Sequence, residues 1–271
     1  MRVSVIMAVF NQLHLTRACL ESLRSTTVPF ELVVVDNGST DGTTELFRDF
    51  PEPFPLRYHR NASNAGLIRA LNQGWRMASG EFCCFLHNDT EMLDPHWLEK
   101  LVLACDRDGA GLAGLYGAKR LRRDGRYVGR TIVHSLDERP TLSTDRAEVA
   151  VVDGVCLFVS RALLARLGGF DESYGFFHGY DRDLSFQVRE AGLRCVVVNA
   201  RFRHRGGGTR ESEEAQAEIG DDRAKRQAAL RHFAEKWKHR LPADVRPPRE
   251  RLREWVQAKL WRNAQPQGAA S

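Results

Sequence analysis

Residues 87–89, His-Asn-Asp, form a polar cluster that directly follows the apolar run 82–86, FCCFL. A carboxylate at the end of a buried strand can hold a divalent cation against the phosphates of a substrate, because such cations bind carboxylate and phosphate oxygens together. The alternative is an ordinary strand that ends in a polar turn. Of the acids that follow Asp89, Glu91 is expected at the surface and Asp94 at the start of a helix.

A second carboxylate, Asp36, ends the strand-like run 32–35, LVVV, and the turn sequence NGSTDG follows it. Asn-Gly and Asp-Gly pairs favour turns, so a strand and a turn would explain this stretch without any ligand. A buried carboxylate, however, is costly without a partner, and a nucleobase or a ribose would supply one. Both interpretations stay open at this point.

The elements that must position these residues follow a β-α-β-α order. The continuous apolar run 3–9 is typical of a strand covered on both faces in a parallel sheet. Asn11 is expected to cap the helix that follows. The order predicts an α/β fold with a doubly wound, mostly parallel sheet. Ligands bind outside the carboxyl ends of such strands, which is where Phe10-Asn11, Asp36 and residues 87–89 stand.

The second half of the chain alternates less regularly. A strand-like stretch at 151–159 is interrupted by Asp153-Gly154, one helix is predicted at 161–167, and another is predicted at 183–191. Residues 127–134 suit either a hairpin or a loop that faces a second substrate. These elements are expected to complete the same domain.

Length and composition indicate a soluble globular protein of 271 residues, 42% of them hydrophobic and 28% charged. No apolar run reaches the roughly 18–20 residues that span a bilayer, and the N-terminal residues lack the pattern of a signal peptide. The six cysteines form no zinc-type CxxC pair, so we expect reduced thiols in a cytoplasmic protein. The common phosphate loops and the GxSxG nucleophile turn are absent as well.

The formal net charge of +5 is concentrated near the C-terminus, where residues 231–262 hold ten Lys or Arg against four Asp or Glu. Residues 211–263 are predicted to form a basic helical extension, and 264–271 a disordered tail. The extension could pack back onto the domain, contact an anionic membrane surface or bind an anionic polysaccharide. No nucleic acid partner is expected, since no RNA-binding module accompanies the charge. The tryptophans of the extension are Trp237, Trp255 and Trp261.

Five stretches of the chain resemble, in the same order, those of the family 2 glycosyltransferases, which are inverting, sugar-nucleotide-dependent enzymes with an A-type glycosyltransferase fold. The stretches are VSVIMAVFNQ, ELVVVDNGSTDGT, NASNAGLIRALNQG, FLHNDTEMLDPHWLEKL and GGFDESYGFFHGYDRDLSFQVREAG. The resemblance covers about residues 1–210, with a nucleotide-binding half at 1–110 and an acceptor half at 111–210. The segment HFAEKWKHR, at 232–240, is similar to bacterial members that build rhamnan, O-antigen or other surface polysaccharides.

The resemblance implies a binding surface for a UDP- or dTDP-linked donor. The residues that it assigns to the base, ribose or phosphates are Ala8, Phe10, Asn11, Asp36, Asn64, Gly66 and Arg69. In this assignment Asp36 bonds the base or the ribose. Arg69 also suits an exposed helix position, and Asn64 also suits a helix cap.

The resemblance further implies a Mn²⁺ or Mg²⁺ site, because residues 87–89 fall on the DxD position of the family. Asp89 is the expected direct ligand, with Asn88 beside it at the diphosphate. His87 stands where the family has an acid, and it could reach the ion, touch the ribose or do neither. His204, in FRHRGGG, matches a histidine that often completes the site.

Asp181 is the catalytic base that the resemblance implies. Inversion requires a carboxylate that takes the proton of the acceptor hydroxyl while the oxygen attacks the anomeric carbon. The family commonly has Glu-Asp where this chain has Tyr180-Asp181, so a second carboxylate is missing. Asp183 is a rival that better suits the cap of the predicted helix. Asp153 is expected near the sugar or the acceptor, or else at a strand bulge.

These features predict an inverting, metal-dependent glycosyltransferase acting on a saccharide, glycolipid or protein acceptor, in the cytoplasm or at the inner face of the membrane. One alternative is a sugar nucleotidyltransferase, which would need a glycine- and arginine-rich N-terminal loop that the chain lacks. Another is a non-catalytic module that only binds nucleotide or polysaccharide. The departures at His87 and Tyr180 favour that module.

Overall fold

Strands and helices alternate through the part of the chain that the computed structural model describes, residues 2–50, 53–206 and 221–264. The strands are β1 Val3–Val9, β2 Phe30–Asp36, β3 Leu56–Arg60, β4 Phe82–Leu86, β5 Thr90–Met92, β6 Ala110–Gly114, β7 Tyr116–Ala118, β8 Arg120–Leu121, β9 Ile132–His134, β10 Arg146–Val149, β11 Val151–Val152, β12 Cys156–Ser160, β13 Arg194–Val198, β14 Phe202–His204 and β15 Ala243–Asp244. The helices are α1 Leu13–Leu23, α2 Thr43–Arg48, α3 Leu67–Met77, α4 Trp97–Asp106, α5 Arg161–Leu167, α6 Tyr180–Glu190, α7 Asp222–Lys236 and α8 Pro248–Ala264. Short 3₁₀ turns lie at Gly129–Thr131 and Glu172–Tyr174.

Eight of these strands form one central sheet in the order β10-β13-β6-β12-β4-β1-β2-β3. Strands β4, β1, β2 and β3 are parallel to one another, and β6 is parallel to β13. Strand β12 is antiparallel to both of its neighbours, and β10 is antiparallel to β13. The α/β fold with a doubly wound, mostly parallel sheet that the sequence predicts is therefore confirmed.

Strand β1 shows why the central strands are apolar throughout. Val5 and Met7 belong to the apolar cluster that contains Leu20 of α1, whereas Ile6 belongs to the cluster that contains Ile68 of α3. Successive side chains of a strand point to opposite faces, so helices on both faces require apolar residues at every position. Because β4, β1, β2 and β3 run parallel, their carboxyl ends lie together at one edge of the sheet.

The start of α1 differs from the prediction. Asn11 does not cap the helix, because its backbone is left-handed, with φ of 54°, and its side-chain oxygen accepts a 2.8 Å hydrogen bond from the Thr40 N–H. The helix begins at Leu13, whose N–H donates to the Asp41 carboxylate at 2.8 Å. The turn after β2 therefore supplies the cap, and Asn11 holds that turn in place.

Two other helix starts are displaced as well. Helix α6 begins at Tyr180 rather than at Asp183, following Gly179 in a left-handed conformation with φ of 85°. Helix α4 begins at Trp97, and Asp94 precedes it, accepting the N–H of His96 at 2.9 Å. The first displacement places Asp181 in the first turn of a helix.

Helix α7 packs onto the domain. Phe233 is fully buried, and its ring centroid lies 4.9 Å from that of Phe186 in α6. The indole N–H of Trp237 donates to the Asp183 carboxylate at 2.8 Å. This half of the basic extension shares an apolar cluster with α3 and α6.

Helix α8 is held by ion pairs, such as Lys119 with Glu250 at 2.7 Å, and it leaves Leu252 and Trp255 61% and 59% exposed. A membrane or polysaccharide contact through these side chains stays a prediction. In the described ranges, none of the helices is long and apolar enough to cross a bilayer. The side chain of Trp261 and the predicted tail beyond Ala264 lie outside the described residues, as do residues 207–220.

Candidate active site

A cavity of about 520 Å³ opens at the carboxyl ends of β1 and β4, against the first turn of α6. It brings together most of the residues that the sequence singles out. Those in its walls are Ala8, Phe10, Asn64, His87, Asn88, Asp89, Asp153, Asp181 and His204. The wall-forming residues do not include Asn11, Asp36, Gly66 or Arg69.

Asp36 is fully buried, and groups of the protein itself satisfy its carboxylate. It accepts hydrogen bonds from the Ser39 N–H at 2.8 Å, from the Tyr58 hydroxyl at 2.7 Å and from the Thr44 hydroxyl at 3.2 Å. The Arg60 guanidinium lies 3.6 Å away. Internal donors therefore satisfy this carboxylate, so its burial alone does not require a ligand, and a bond from Asp36 to a base or ribose stays a prediction.

Asn37, the next residue, lies in the cavity wall, and the sequence analysis did not single it out. Its amide group donates to the Gly66 carbonyl at 3.3 Å, and its oxygen accepts from Asn61 at 2.8 Å. Residues alternate sides at a strand end, so of two consecutive polar residues one turns inward and the other faces the cavity. The polar position directly after β2 was the available signal.

The 64–69 segment contributes Asn64 and Leu67 to the cavity wall. The Asn64 side chain accepts the Gly66 N–H at 3.1 Å. Gly66 has φ of 88°, a backbone conformation that favours glycine, and a Cβ there would make a tight contact of 3.1 Å with the Phe176 carbonyl oxygen. Arg69 is exposed and pairs with Glu172 at 3.4 Å. This agrees with the alternative that Arg69 occupies an exposed helix position.

His204 reaches the strand-end cluster through a two-stranded sheet. Strand β14 pairs with β5 in antiparallel register, so that His204 stands opposite Thr90. Its Nε2 lies 3.1 Å from Oδ1 of Asp89. Asn88 is turned the other way, and its amide donates to the Thr16 hydroxyl of α1 at 2.9 Å, which anchors the loop.

His87, Asp89 and His204 form a candidate cation site, with potential ligand atoms all within 4.8 Å of one another. Asp89 Oδ1 and His204 Nε2 are both buried, and neither has an aligned hydrogen bond to a described residue despite their short separation. Such orphaned atoms fit a cation that would satisfy both. Burial opposes ionisation of Asp89, but the two histidines outweigh it and hold its pKa below the ordinary value.

His87 contacts Tyr180 as well as the cation cluster. Its Nε2 lies 3.1 Å from the Tyr180 hydroxyl, and its Nδ1 lies 4.0 Å from Oδ1 of Asp89. A Cβ on Gly154 would lie only 2.1 Å from the Tyr180 hydroxyl. The Asp153-Gly154 interruption between β11 and β12 therefore leaves the space that this tyrosine occupies.

Asp181 is buried in the cavity wall, with the Arg182 guanidinium 3.5 Å from its carboxylate. Its rival Asp183 accepts hydrogen bonds from Tyr174 at 3.0 Å and from Trp237 at 2.8 Å, and it pairs with Lys236 at 2.8 Å. These contacts hold α7 against α6. Asp183 thus has a structural role, whereas Asp181 faces the cavity.

Asp153 lies beside Asp181 in the same wall. Burial, followed by the negative charge of Asp181, raises its pKa to about 6, although Arg182 acts in the opposite direction. Near neutral pH this carboxyl group can therefore change its protonation state.

Tyr127 and Arg182 are further wall residues that the sequence analysis did not identify individually. The guanidinium carbon of Arg182 lies 4.3 Å from the centroid of the Tyr127 ring. The hydroxyl of Tyr127 and Nε of Arg182 are buried, and neither has a hydrogen-bond partner in the part of the chain described. Both atoms could bind a polar substrate. For Tyr127, the available signal was that residues 127–134 suit either a hairpin or a loop that faces a second substrate.

Comparison with known protein families assigns the chain to one of them. The model of the family "Glycosyl transferase family 2" matches residues 4–168, more than half of the sequence, and the chain belongs to this family.

Two curated relatives extend across most of the chain. The uncharacterized protein y4gI of Sinorhizobium fredii is 27% identical over 259 residues, covering 87% of this chain and 27% of its own length. The O-antigen biosynthesis protein RfbC of Myxococcus xanthus is 29% identical over 231 residues, covering 78% of this chain and 18% of its own. The chain thus spans about a quarter or less of the length of these relatives.

Solved structures share the fold. GalNAc-T7 with UDP, GalNAc and Mn²⁺ superposes with a TM-score of 0.63 and 16% identity, over 75% of this chain and 43% of the other. The mannosyltransferase PcManGT from Pyrobaculum calidifontis, with GDP-Man and Mn²⁺, gives 0.57 and 19%, over 96% and 80%. TarS of S. aureus with UDP-GlcNAc gives 0.59 and 20%, over 88% and 72%. These likenesses confirm the A-type glycosyltransferase fold.

Proposed function

We propose that the chain transfers a sugar from a nucleoside-diphosphate donor to an acceptor hydroxyl, with inversion at the anomeric carbon. The observation that carries this proposal is a single strand-end cavity that holds both a cation-type cluster and a separate buried carboxylate, Asp181. Family membership supports the transferase reaction. The UDP- and GDP-linked sugars in structures of similar fold support the donor class.

In this proposal the sugar-nucleotide donor binds against the cavity walls next to β1 and β2. Ala8, Phe10, Asn37 and Asn64 would contact the nucleoside of a UDP- or dTDP-linked sugar. Asp89 and His204 would hold Mn²⁺ or Mg²⁺ at the diphosphate. When bound, a divalent cation offsets the negative charge that develops on the diphosphate leaving group.

The acceptor would bind next to the first turn of α6. Asp181 would take the proton from the acceptor hydroxyl as its oxygen bonds to the anomeric carbon. The bond from that carbon to the diphosphate oxygen breaks at the same time, and the nucleoside diphosphate leaves with the electron pair. Arg182 orients Asp181 from 3.5 Å, and Asp153 would contact a hydroxyl of the reacting sugars.

The acceptor we propose is a saccharide or glycolipid in the synthesis of a bacterial polysaccharide or glycoconjugate. The similarity to RfbC, an O-antigen biosynthesis protein, supports this class. The exposed Leu252 and Trp255 on a basic helix support a peripheral contact with a membrane that carries such an acceptor.

A non-catalytic nucleotide-binding module is the second candidate. The observation in its favour is that His87 and Tyr180 occupy two positions where the family commonly has acids. Asp89 and Asp181 are retained at the cavity, however, and they are the two carboxylates that the reaction needs.

Donor cleavage separates the two candidates. The purified chain is incubated with a panel of UDP-, dTDP- and GDP-linked sugars, in Mn²⁺, in Mg²⁺ and in chelator, and the released nucleoside diphosphate is measured. A transferase should release nucleoside diphosphate from at least one donor, and only with a cation. Without an acceptor this release should be slow, because the sugar then passes to water. Binding of nucleotide without release from any donor, with saccharide acceptors present, would favour the module.

A further inference from the structure

We propose that His87 is a direct ligand of the cation, held in position by Tyr180, and that the resulting set of two imidazoles and one carboxylate selects Mn²⁺ over Mg²⁺. This inference rests on the proposed function, because it concerns the cation of the donor site. It assigns a role to the side chain that stands where the family has an acid.

Two imidazoles lie close to one carboxylate oxygen of Asp89. Oδ1 of Asp89 lies 3.1 Å from Nε2 of His204 and 4.0 Å from Nδ1 of His87. The two imidazole rings are 5.6 Å apart between centroids. One ion could therefore contact Asp89 and both rings with only small side-chain movements.

The contact with Tyr180 orients the His87 ring. With the proton on Nε2, the ring donates to the Tyr180 hydroxyl at 3.1 Å, and Nδ1 carries the lone pair on the side of Asp89. Histidines that bind metals usually donate their other ring N–H to a polar partner, which fixes the tautomer and the ring orientation. Tyr180 supplies such a partner.

Tyr180 is itself held firmly. It is buried at the start of α6, and its ring packs edge-on against Phe170 with 5.6 Å between centroids. The absence of a side chain at Gly154 leaves room for its hydroxyl. Tyr180 is therefore a positioning residue that acts on the cation through His87.

The chemical types of these three ligands determine which cation the site prefers. Mg²⁺ prefers oxygen ligands and keeps much of its water, whereas imidazole suits transition metals, and Mn²⁺ accepts both nitrogen and oxygen. A site with an acid at position 87 would offer two carboxylates and one imidazole. The native site replaces one of those carboxylates with nitrogen, which lowers its affinity for Mg²⁺ more than for Mn²⁺.

The test uses Mn²⁺ itself as the probe. Electron paramagnetic resonance measures how much Mn²⁺ the chain binds in the presence of UDP, and Mg²⁺ is added as competitor. Electron spin-echo modulation from ¹⁴N reports how many imidazoles are bound. The variants are His87→Asp, His87→Ala, Tyr180→Phe and, as a control at an exposed histidine outside the cavity, His96→Asp.

We expect nitrogen modulation from two imidazoles in the native chain and from one in both His87 variants. In His87→Asp, Mg²⁺ should compete about tenfold better. Tyr180→Phe keeps the ring and removes only the hydroxyl, so Mn²⁺ affinity should fall by about tenfold, the lower end of the range for outer-shell partners of a metal ligand. His96→Asp should match the native chain, and thermal unfolding in chelator verifies that each variant is folded.

Modulation from a single imidazole in the native chain, unchanged in folded His87 variants, would overturn the inference. This outcome is separate from failure of the proposed function. Donor cleavage with an uninvolved His87 contradicts only the ligand assignment, whereas two bound imidazoles without cleavage of any donor contradict only the transferase.

Discussion

The Tyr180 hydroxyl lies 3.1 Å from Nε2 of His87, so the two positions at which this chain departs from the family pattern contact each other. One departure places an imidazole at the cation cluster, and the other places a hydroxyl beside that imidazole. We interpret them as one paired change rather than as two separate losses of acidic side chains.

A double-mutant cycle measures this pairing. His87→Ala, Tyr180→Phe and the double variant are unfolded by denaturant in chelator, so that no cation contributes. We expect the free energies of unfolding to be non-additive by about 1 kcal/mol, the ordinary net value of one hydrogen bond. Strictly additive effects would show that the two side chains do not interact in solution.

Gly154 should be essential for the position of Tyr180. In Gly154→Ala the new Cβ would lie 2.1 Å from the Tyr180 hydroxyl, so the ring must move and we expect a loss of about 1–3 kcal/mol in the free energy of unfolding. Mn²⁺ affinity should fall with it. Gly129→Ala is the matched control, since no atom lies within 4 Å of its added Cβ. Equal behaviour of the two variants would refute the steric argument.

Asp153 should give the stability a distinctive pH dependence. Its pKa is about 6 in the folded chain and 3.8 ordinarily, so between these values the folded state keeps a proton that the unfolded state has lost. The protonated Asp153 side chain therefore contributes to the free energy of unfolding at low pH, and this contribution is lost as the pH rises through about 4 to 6.

Replacing Asp153 with Asn removes that dependence. Relative to the native chain, the variant should gain about 2 kcal/mol in the free energy of unfolding between pH 4 and pH 7. Denaturant unfolding across this range measures the difference, with the exposed Asp124→Asn as control. A difference that stays constant with pH would mean that Asp153 titrates normally.

Asp36 should matter for stability and not for nucleotide binding. Asp36→Asn turns an amide toward the donors that now bind its carboxylate, and we expect a loss of about 2–4 kcal/mol in the free energy of unfolding. Calorimetry with UDP should show affinity within about threefold of native. Loss of UDP binding with unchanged unfolding would restore the direct role that the sequence suggested.

The sequence predicted the sheet and the location of the site because both depend on local patterns. Continuous apolar strands such as β1 indicate a sheet covered on both faces, and polar residues after β4 mark its carboxyl edge. Asp89 and Asp181 could be identified because their stretches resemble the family. The sequence thus predicted the edge of the sheet at which the cavity opens and two carboxylates that line this cavity.

The sequence did not predict contacts between distant segments. Whether Asp36 or Asn37 faces the cavity depends on the neighbouring Tyr58 and Arg60 of β3, which satisfy Asp36 from the other side. The pairing of Tyr180 with His87 joins residues 93 positions apart. Local residue types mark the polar positions after β2, but they do not decide which of the two faces the cavity, and they do not encode the pairing of Tyr180 with His87.

The most direct test of the central claim is the turnover of Asp181→Asn, measured as cation-dependent release of nucleoside diphosphate from the donor that the native chain cleaves. We predict a rate lower by about 10²–10⁴-fold, with Mn²⁺ and UDP binding retained, a cooperative unfolding transition that shows a folded variant, and Asp124→Asn at the native rate. A folded Asp181→Asn variant that releases nucleoside diphosphate at the native rate would contradict the account.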